Sequence, residues 1–188
     1  MKVIVATDIF GHTDALDSLL ESISTRCESI EIVNPYDTCS THFESEQEAY
    51  AFFKKSVGLK RYTEKLERVL KGREESSQLL LGFSVGASAI WVLSEKLDEF
   101  RKTRGICFYS SQVRNYLGLT PRVEIDIYFA KEEPAYDVDE VMAALSGKEL
   151  VHCQKTGYLH GFMNKRSKNY SNEGYLNYIE KIGNSINP

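Results

Sequence analysis

Short runs of β-branched and apolar residues alternate along this chain with longer amphipathic segments. This alternation is typical of βαβ units, in which parallel strands are joined by helical crossovers. Several runs are almost continuously apolar, as strands covered by helices on both faces usually are. The sequence therefore predicts an α/β fold, with about six mostly parallel strands in one sheet and helices on both faces. The predicted strands are residues 2–8, 29–36, 78–83, 105–110, 123–130 and 149–156.

The segments between these strands predict the helical layers. Residues 12–24 place apolar side chains on one face at helical spacing. Residues 45–72 are too long for one compact helix, so we expect a break near Gly58. The first half of residues 86–100 is mostly apolar, which predicts a helix set deep against the sheet. Two more helices are predicted at residues 138–147 and 173–186.

A length of 188 residues fits one domain with a sizeable core. No repeat, low-complexity tract or proline-rich linker divides the chain, so we predict a single domain over residues 1–188. Between the fourth and fifth predicted strands, residues 111–122 are too few for a separate lid domain. We expect this segment to roof a site, with Tyr116 and Leu117 as candidate apolar contacts, although surface packing would explain both residues equally well.

Composition excludes several classes of partner. The net charge is −4, from 23 basic and 27 acidic residues, which gives no electrostatic reason to expect nucleic acid or an anionic membrane. No apolar run approaches the roughly 20 residues that span a bilayer, and the start "MKVIVATDIF" lacks the features of a signal peptide. We therefore expect a cytoplasmic protein. The four cysteines form no CxxC pair and no zinc-like spacing, which predicts reduced thiols and no metal site.

The stretch "GFSVG" matches the pattern G-x-S-x-G, with Ser84 between Gly82 and Gly86. Where a strand enters a helix through a very sharp turn, glycines remove the Cβ atoms that would clash on either side. The serine is then held in a strained conformation with its hydroxyl exposed, close to the first N–H groups of the helix. A chance match is expected about once in twenty chains of this length. Because the pattern lies between a predicted strand and a predicted helix, we favour a nucleophile.

A serine nucleophile needs a base to take its proton and an acid to orient that base. In this fold the acid and the base should follow the serine in that order, each after a later strand. His160 follows the last predicted strand, whereas His152 lies inside it, and His12 and His42 precede the serine. The loop after residues 123–130 offers four candidate acids, Glu132, Glu133, Asp137 and Asp139.

Four segments resemble the dienelactone hydrolase family of α/β-hydrolases: "VATDIFG", "GFSVGA", "YFAKEEP" and "GYLHGFMNKRSKNY". The resemblance runs from about residue 2 to residue 181. It implies an α/β-hydrolase fold in a shortened form, without the hairpin that usually precedes the first strand here. It also implies a member with a serine in place of the cysteine nucleophile of the founding enzymes.

Carried over by position, the resemblance implies that Ser84 is the nucleophile, His160 the base and Glu133 the orienting acid. Glu132 remains a rival for the acid. The oxyanion donors would be the backbone N–H groups of Ile9 and Val85.

Four residues are expected at substrate-binding positions: Asp8, Phe10, Tyr116 and Arg166. For Asp8 the alternative is a structural carboxylate at a strand end, bonded to a neighbouring loop. Asn164 stands where founding members carry an arginine for the substrate carboxylate, so the resemblance does not extend to that contact.

The sequence thus predicts a serine hydrolase acting on a small ester, lactone or thioester, with no metal or organic cofactor. Two alternatives stay open. One is a non-catalytic binding protein on the same scaffold, since a fold does not fix a function. The other is an acyltransferase, in which an alcohol or amine replaces water in the second step. The sequence does not specify an oligomeric state.

Overall fold

A computed structural model describes residues 1–37, 42–71, 77–97 and 102–186. Its centre is one six-stranded sheet in which every neighbouring pair is parallel, with the strand order β2-β1-β3-β4-β5-β6. The fold class predicted from the sequence is confirmed. The strands are β1 Lys2–Ala6, β2 Ser29–Val33, β3 Gln78–Phe83, β4 Thr103–Phe108, β5 Glu124–Phe129 and β6 Val151–Lys155.

Five of the six predicted strands end earlier than expected, and for β1 and β2 polar side chains explain why. Strand β1 ends at Ala6 because the Asp8 carboxylate accepts a hydrogen bond from the Phe10 N–H, which turns the chain out of the sheet. Strand β2 ends at Val33 because the Asn34 side chain accepts from the Tyr36 N–H in the same way. Such side-chain bonds compete with the strand ladder for backbone groups. Both turns lie at the carboxyl edge of the sheet.

Helices cover the two faces of the sheet and divide the core in two. On one face α1 and α6 pack over the sheet, with Leu19, Ile23 and Ile182 buried. On the other face α2 to α5 bury side chains that include Phe53 and Trp91. The helices are α1 Asp14–Ser24, α2 Glu46–Ser56, α3 Gly58–Leu70, α4 Val85–Ser94, α5 Val138–Leu145 and α6 Asn172–Ile186.

The predicted break near Gly58 is confirmed, since α2 ends at Ser56 and α3 begins at Gly58 with φ +70°. Helix α4 lies deep against the sheet, and Val92 is its one residue that is not buried. It is shorter than predicted, ending at Ser94, and the end of the predicted range, residues 98–100, lies outside the described residues. None of the described helices is long and apolar enough to span a membrane.

Candidate active site

Ser84 occupies the turn between β3 and α4 in a conformation that non-glycine residues rarely adopt. Its φ is 51° and its ψ is −111°. A Cβ atom on Gly82 would lie 2.6 Å from the Ala87 Cα, and one on Gly86 would lie 2.2 Å from the Ala6 carbonyl oxygen. The glycines therefore let the helix approach β3 and the end of β1 closely enough to hold the turn. Strain of this kind costs about 1–3 kcal/mol and is found mostly at functional sites.

Gly86→Ala is expected to destabilise the protein by at least about 2 kcal/mol, because the new methyl group would overlap backbone atoms that no side-chain rotation can move. The free energy of unfolding, measured in urea, checks this. Gly118→Ala is the matched control, since a Cβ at Gly118 meets no atom within 4 Å and should change stability by less than about 0.5 kcal/mol. Equal losses for the two variants would contradict the close packing at Gly86.

Three side chains from separate loops form one hydrogen-bonded chain at the carboxyl edge of the sheet. The Ser84 Oγ lies 3.0 Å from the His160 Nε2, and the His160 Nδ1 lies 2.6 Å from a carboxylate oxygen of Glu133. The Glu133 side chain is 7% exposed and His160 is 32% exposed, so the acid is shielded while the imidazole faces the site. The spacing is that of a nucleophile, a base and an orienting acid.

Further contacts hold the loops that carry Glu133 and His160. The Asn169 side chain donates to the His160 carbonyl over 2.9 Å, and the Tyr109 ring packs on the imidazole with centroids 4.9 Å apart. Glu133 pairs with Tyr136 across a tight turn. Glu132 is exposed and has no hydrogen-bond partner within the described parts of the chain. The geometry therefore brings Glu133, and not its neighbour, to the histidine.

Two backbone N–H groups beside Ser84 are free to bind an anion. In the turn after β1, the Phe10 N–H bonds the Asp8 carboxylate at 2.9 Å and the Gly11 N–H bonds the Asp8 carbonyl at 3.1 Å. The Ile9 N–H between them has no acceptor in the described chain, and neither has the N–H of Val85, the first residue of α4. Both residues line the cavity that contains Ser84. A pair of such donors can stabilise an oxyanion.

The cavity has a volume of about 400 Å³ and is open to solvent. Ser84, His160 and Glu133 line it together with Ile9 and Val85, which the sequence also singled out. Its walls add three charged residues that sequence reasoning missed: Glu46, Arg114 and Lys168. Nothing in their local sequence marks them, because they come from separate segments that meet only in the folded chain. Among the described residues, no cluster of His, Cys, Asp or Glu has the arrangement of a metal site.

Solved structures that superpose on the chain agree on its fold, and one curated protein resembles it in sequence. The chain is 27% identical over 141 residues to an uncharacterized protein of Bacillus subtilis, YczH, covering 74% of this chain and 68% of that protein. A candidate dienelactone hydrolase from Klebsiella pneumoniae superposes with a TM-score of 0.76 at 14% identity, over 98% of this chain and 85% of that one. A candidate hydrolase of the α/β superfamily from Xanthomonas campestris superposes with a TM-score of 0.64 at 13% identity, over 98% of this chain and 97% of that one. The chain has the α/β-hydrolase fold. No protein-family model matches it.

Within this α/β-hydrolase fold, Asp8 follows the end of β1, lines the cavity and is bonded to a neighbouring loop. The Asn164 side chain, from the loop that carries His160, donates to the second Asp8 oxygen over 2.7 Å. Burial raises the pKa of Asp8 above its ordinary value, and the hydrogen bonds from Asn164 and the Phe10 N–H oppose that rise. The contacts match the structural alternative for Asp8 that the sequence left open.

Of the three other residues expected to contact substrate, one lines the cavity and two do not. Phe10 lines the cavity beside Asp8. Tyr116 and Arg166 are not among the residues that line it. The Tyr116 carbonyl accepts a hydrogen bond from the buried Trp91 side chain over 3.1 Å, which ties this segment to α4, and Leu117 packs against the same core. Arg166 lines a neighbouring groove with Phe43. Substrate contact by Tyr116 and Arg166 stays a prediction.

Proposed function

We propose that the protein is a serine hydrolase that cleaves small esters, lactones or thioesters through an acyl-enzyme on Ser84. The observation that carries this proposal is the unbroken chain of hydrogen bonds from Ser84 through His160 to Glu133. A purely structural role would not require a strained serine, a base and a shielded acid in this order. The superposition on a candidate dienelactone hydrolase supports the same reaction class.

In the first half-reaction, the Ser84 Oγ attacks the substrate carbonyl carbon while the His160 Nε2 takes the hydroxyl proton. The Glu133 carboxylate accepts a hydrogen bond from the His160 Nδ1–H. This bond holds the ring in the required tautomer and stabilises the imidazolium. The carbonyl oxygen becomes negative and accepts hydrogen bonds from the N–H groups of Ile9 and Val85. Each such donor typically lowers the activation free energy by about 3 kcal/mol. Collapse of this intermediate breaks the bond to the leaving group, and His160 returns its proton to that group.

In the second half-reaction, water replaces the leaving group. His160 takes a proton from water as the oxygen attacks the acyl carbon. The resulting intermediate then collapses: the bond between the acyl carbon and the Ser84 Oγ breaks, His160 gives its proton to the Oγ, and the acid product leaves. The steps require no metal and no organic cofactor. A cavity of about 400 Å³ that is open to solvent favours small acyl groups or substrates whose far end remains in solvent. An acyltransferase would use the same residues, with an alcohol or amine in place of water.

Fluorophosphonate labelling tests the proposal. We expect intact-mass spectrometry of the wild-type protein to show one adduct, and peptide mapping to place it on Ser84, because only an activated serine reacts with this probe. Ser24 lies exposed on α1, so Ser24→Ala should label as the wild type does. A well-folded wild type that forms no adduct would overturn the hydrolase proposal and favour the non-catalytic binding protein.

A further inference from the structure

The turn that carries the Ile9 N–H is held by contacts on both sides of it. The Asp8 carboxylate accepts from the Phe10 N–H over 2.9 Å, and the Gly11 N–H closes the turn onto the Asp8 carbonyl. The Tyr36 hydroxyl donates to the Ile9 carbonyl over 2.6 Å. These bonds occupy the groups around the Ile9 N–H and leave that one donor free. Its direction therefore depends on how Asp8 is held.

Asp8 is held from the far end of the chain. The Asn164 Nδ2 donates to the second Asp8 oxygen over 2.7 Å, across 156 positions of sequence. The Asn164 Oδ1 already accepts from the Arg166 N–H over 2.8 Å, and the Asn164 N–H bonds the Gly161 carbonyl at 2.9 Å. The amide group of Asn164 can therefore offer only its NH₂ to Asp8. The bond between Asn164 and Asp8 joins the turn at residues 8–11, which carries the Ile9 N–H, to the loop that carries His160.

We propose that Asp8 and Asn164 are positioning residues, which fix the Ile9 N–H relative to Ser84 and His160 and do not bind substrate. Both Asp8 carboxylate oxygens already accept from the protein, one from the Phe10 N–H and one from Asn164, which argues against a substrate contact. This inference rests on the proposed serine hydrolase mechanism. It predicts that the pair acts on the transition state, where the oxyanion exists, more than on the bound substrate.

The geometry allows a swap experiment. Asp8→Asn alone keeps an acceptor for the Phe10 N–H but turns an NH₂ group toward the NH₂ of Asn164. Asn164→Asp alone places two carboxylates against each other. In the double variant Asp8→Asn/Asn164→Asp, the amide introduced at position 8 donates to the carboxylate introduced at position 164. The other oxygen at position 164 still accepts from the Arg166 N–H, and the new side chain at position 8 still accepts from the Phe10 N–H. The double variant therefore keeps all three bonds, and only the bond between positions 8 and 164 has its direction reversed.

With p-nitrophenyl acetate as substrate, we expect each single variant to lower kcat about 10- to 100-fold, because a misplaced oxyanion donor weakens only the transition state. KM should stay within about twofold of the wild-type value, since ground-state binding is unaffected. The double variant should recover to within about fivefold of wild-type kcat. Asp139→Asn is the matched control, because Asp139 pairs with Lys155 on the exposed surface and its loss should leave kcat unchanged.

Three results would overturn the inference. Single variants with wild-type kcat would show that the turn needs no bond from Asn164, and a raised KM with unchanged kcat would make Asp8 a substrate contact. A double variant no better than the single variants would show that the charge at position 8, and not the bond, matters. If a single variant unfolds, Asn164→Ala removes one donor without adding a charge and serves instead. A wild type that neither hydrolyses the ester nor forms a fluorophosphonate adduct would reject the hydrolase proposal itself.

Discussion

Ser84→Ala and Ser84→Gly are both expected to abolish ester hydrolysis, while the glycine variant should be the more stable of the two. Without the hydroxyl no acyl-enzyme can form, and loss of such a nucleophile typically lowers kcat by about 10⁶-fold. The stability difference comes from the backbone, because φ 51° with ψ −111° strains any residue that carries a Cβ atom. Glycine relieves strain of about 1–3 kcal/mol, which exceeds the roughly 0.4–1 kcal/mol that its more flexible unfolded chain costs.

Turnover of p-nitrophenyl acetate and urea unfolding measure the two effects separately. We expect the glycine variant to unfold with a free energy about 1 kcal/mol above that of the alanine variant. Ser24→Ala should retain wild-type turnover, since Ser24 lies on the surface of α1. Retained turnover in Ser84→Ala would remove the nucleophile assignment. An alanine variant as stable as the glycine variant would mean that the turn at position 84 is not strained.

The sequence predicted the sheet and the serine turn well because local chemistry determines both. Strand β3 is wholly buried, and after Gln78 its sequence is a continuous run of apolar residues and glycine, which requires helices on both faces of the sheet. Gly82 and Gly86 mark a place where backbone meets backbone, a requirement that only glycine satisfies. Strand ends were less predictable, because a single side chain such as Asp8 or Asn34 can end a strand by bonding the next turn.

Part of the cavity wall could not be predicted, because it depends on contacts between distant segments. Asp8 meets Asn164 across 156 positions, and the sequence around either residue gives no sign of its partner. Arg114 reaches the cavity from a short 3₁₀ helix, Ser111–Asn115, that follows β4. Its guanidinium lies over the Tyr136 ring, 5.0 Å from the ring centroid. The sequence had pointed to Tyr116 in the same segment, but its backbone is tied to Trp91 on α4. Hydrophobic periodicity predicts where helices and strands lie along the sequence, but it does not predict which way a loop side chain points.

The choice between Glu132 and Glu133 shows this limit most clearly, because the two carboxylates are adjacent in the sequence. Glu133→Gln is expected to lower kcat/KM about 10³- to 10⁴-fold, whereas Glu132→Gln should change it by less than about twofold. In the structure the Glu133 carboxylate lies 2.6 Å from the His160 Nδ1, while Glu132 is exposed. An amide at position 133 would turn its NH₂ toward the Nδ1 and favour the tautomer that carries its proton on the Nε2. That tautomer cannot accept the Ser84 proton.

Hydrolysis of p-nitrophenyl acetate by the two variants, compared at equal folded concentration, decides the matter. The pair is well matched, because both substitutions remove one negative charge and keep the shape of the side chain, one position apart. A loss confined to Glu133→Gln would make orientation of the imidazole the cause, since a general effect of charge would appear in both variants. The reverse pattern would mean that the loop after β5 turns the other carboxylate toward His160 when substrate is present. Equal and small effects would mean that the histidine needs no acid partner, and the proposed triad would reduce to Ser84 and His160.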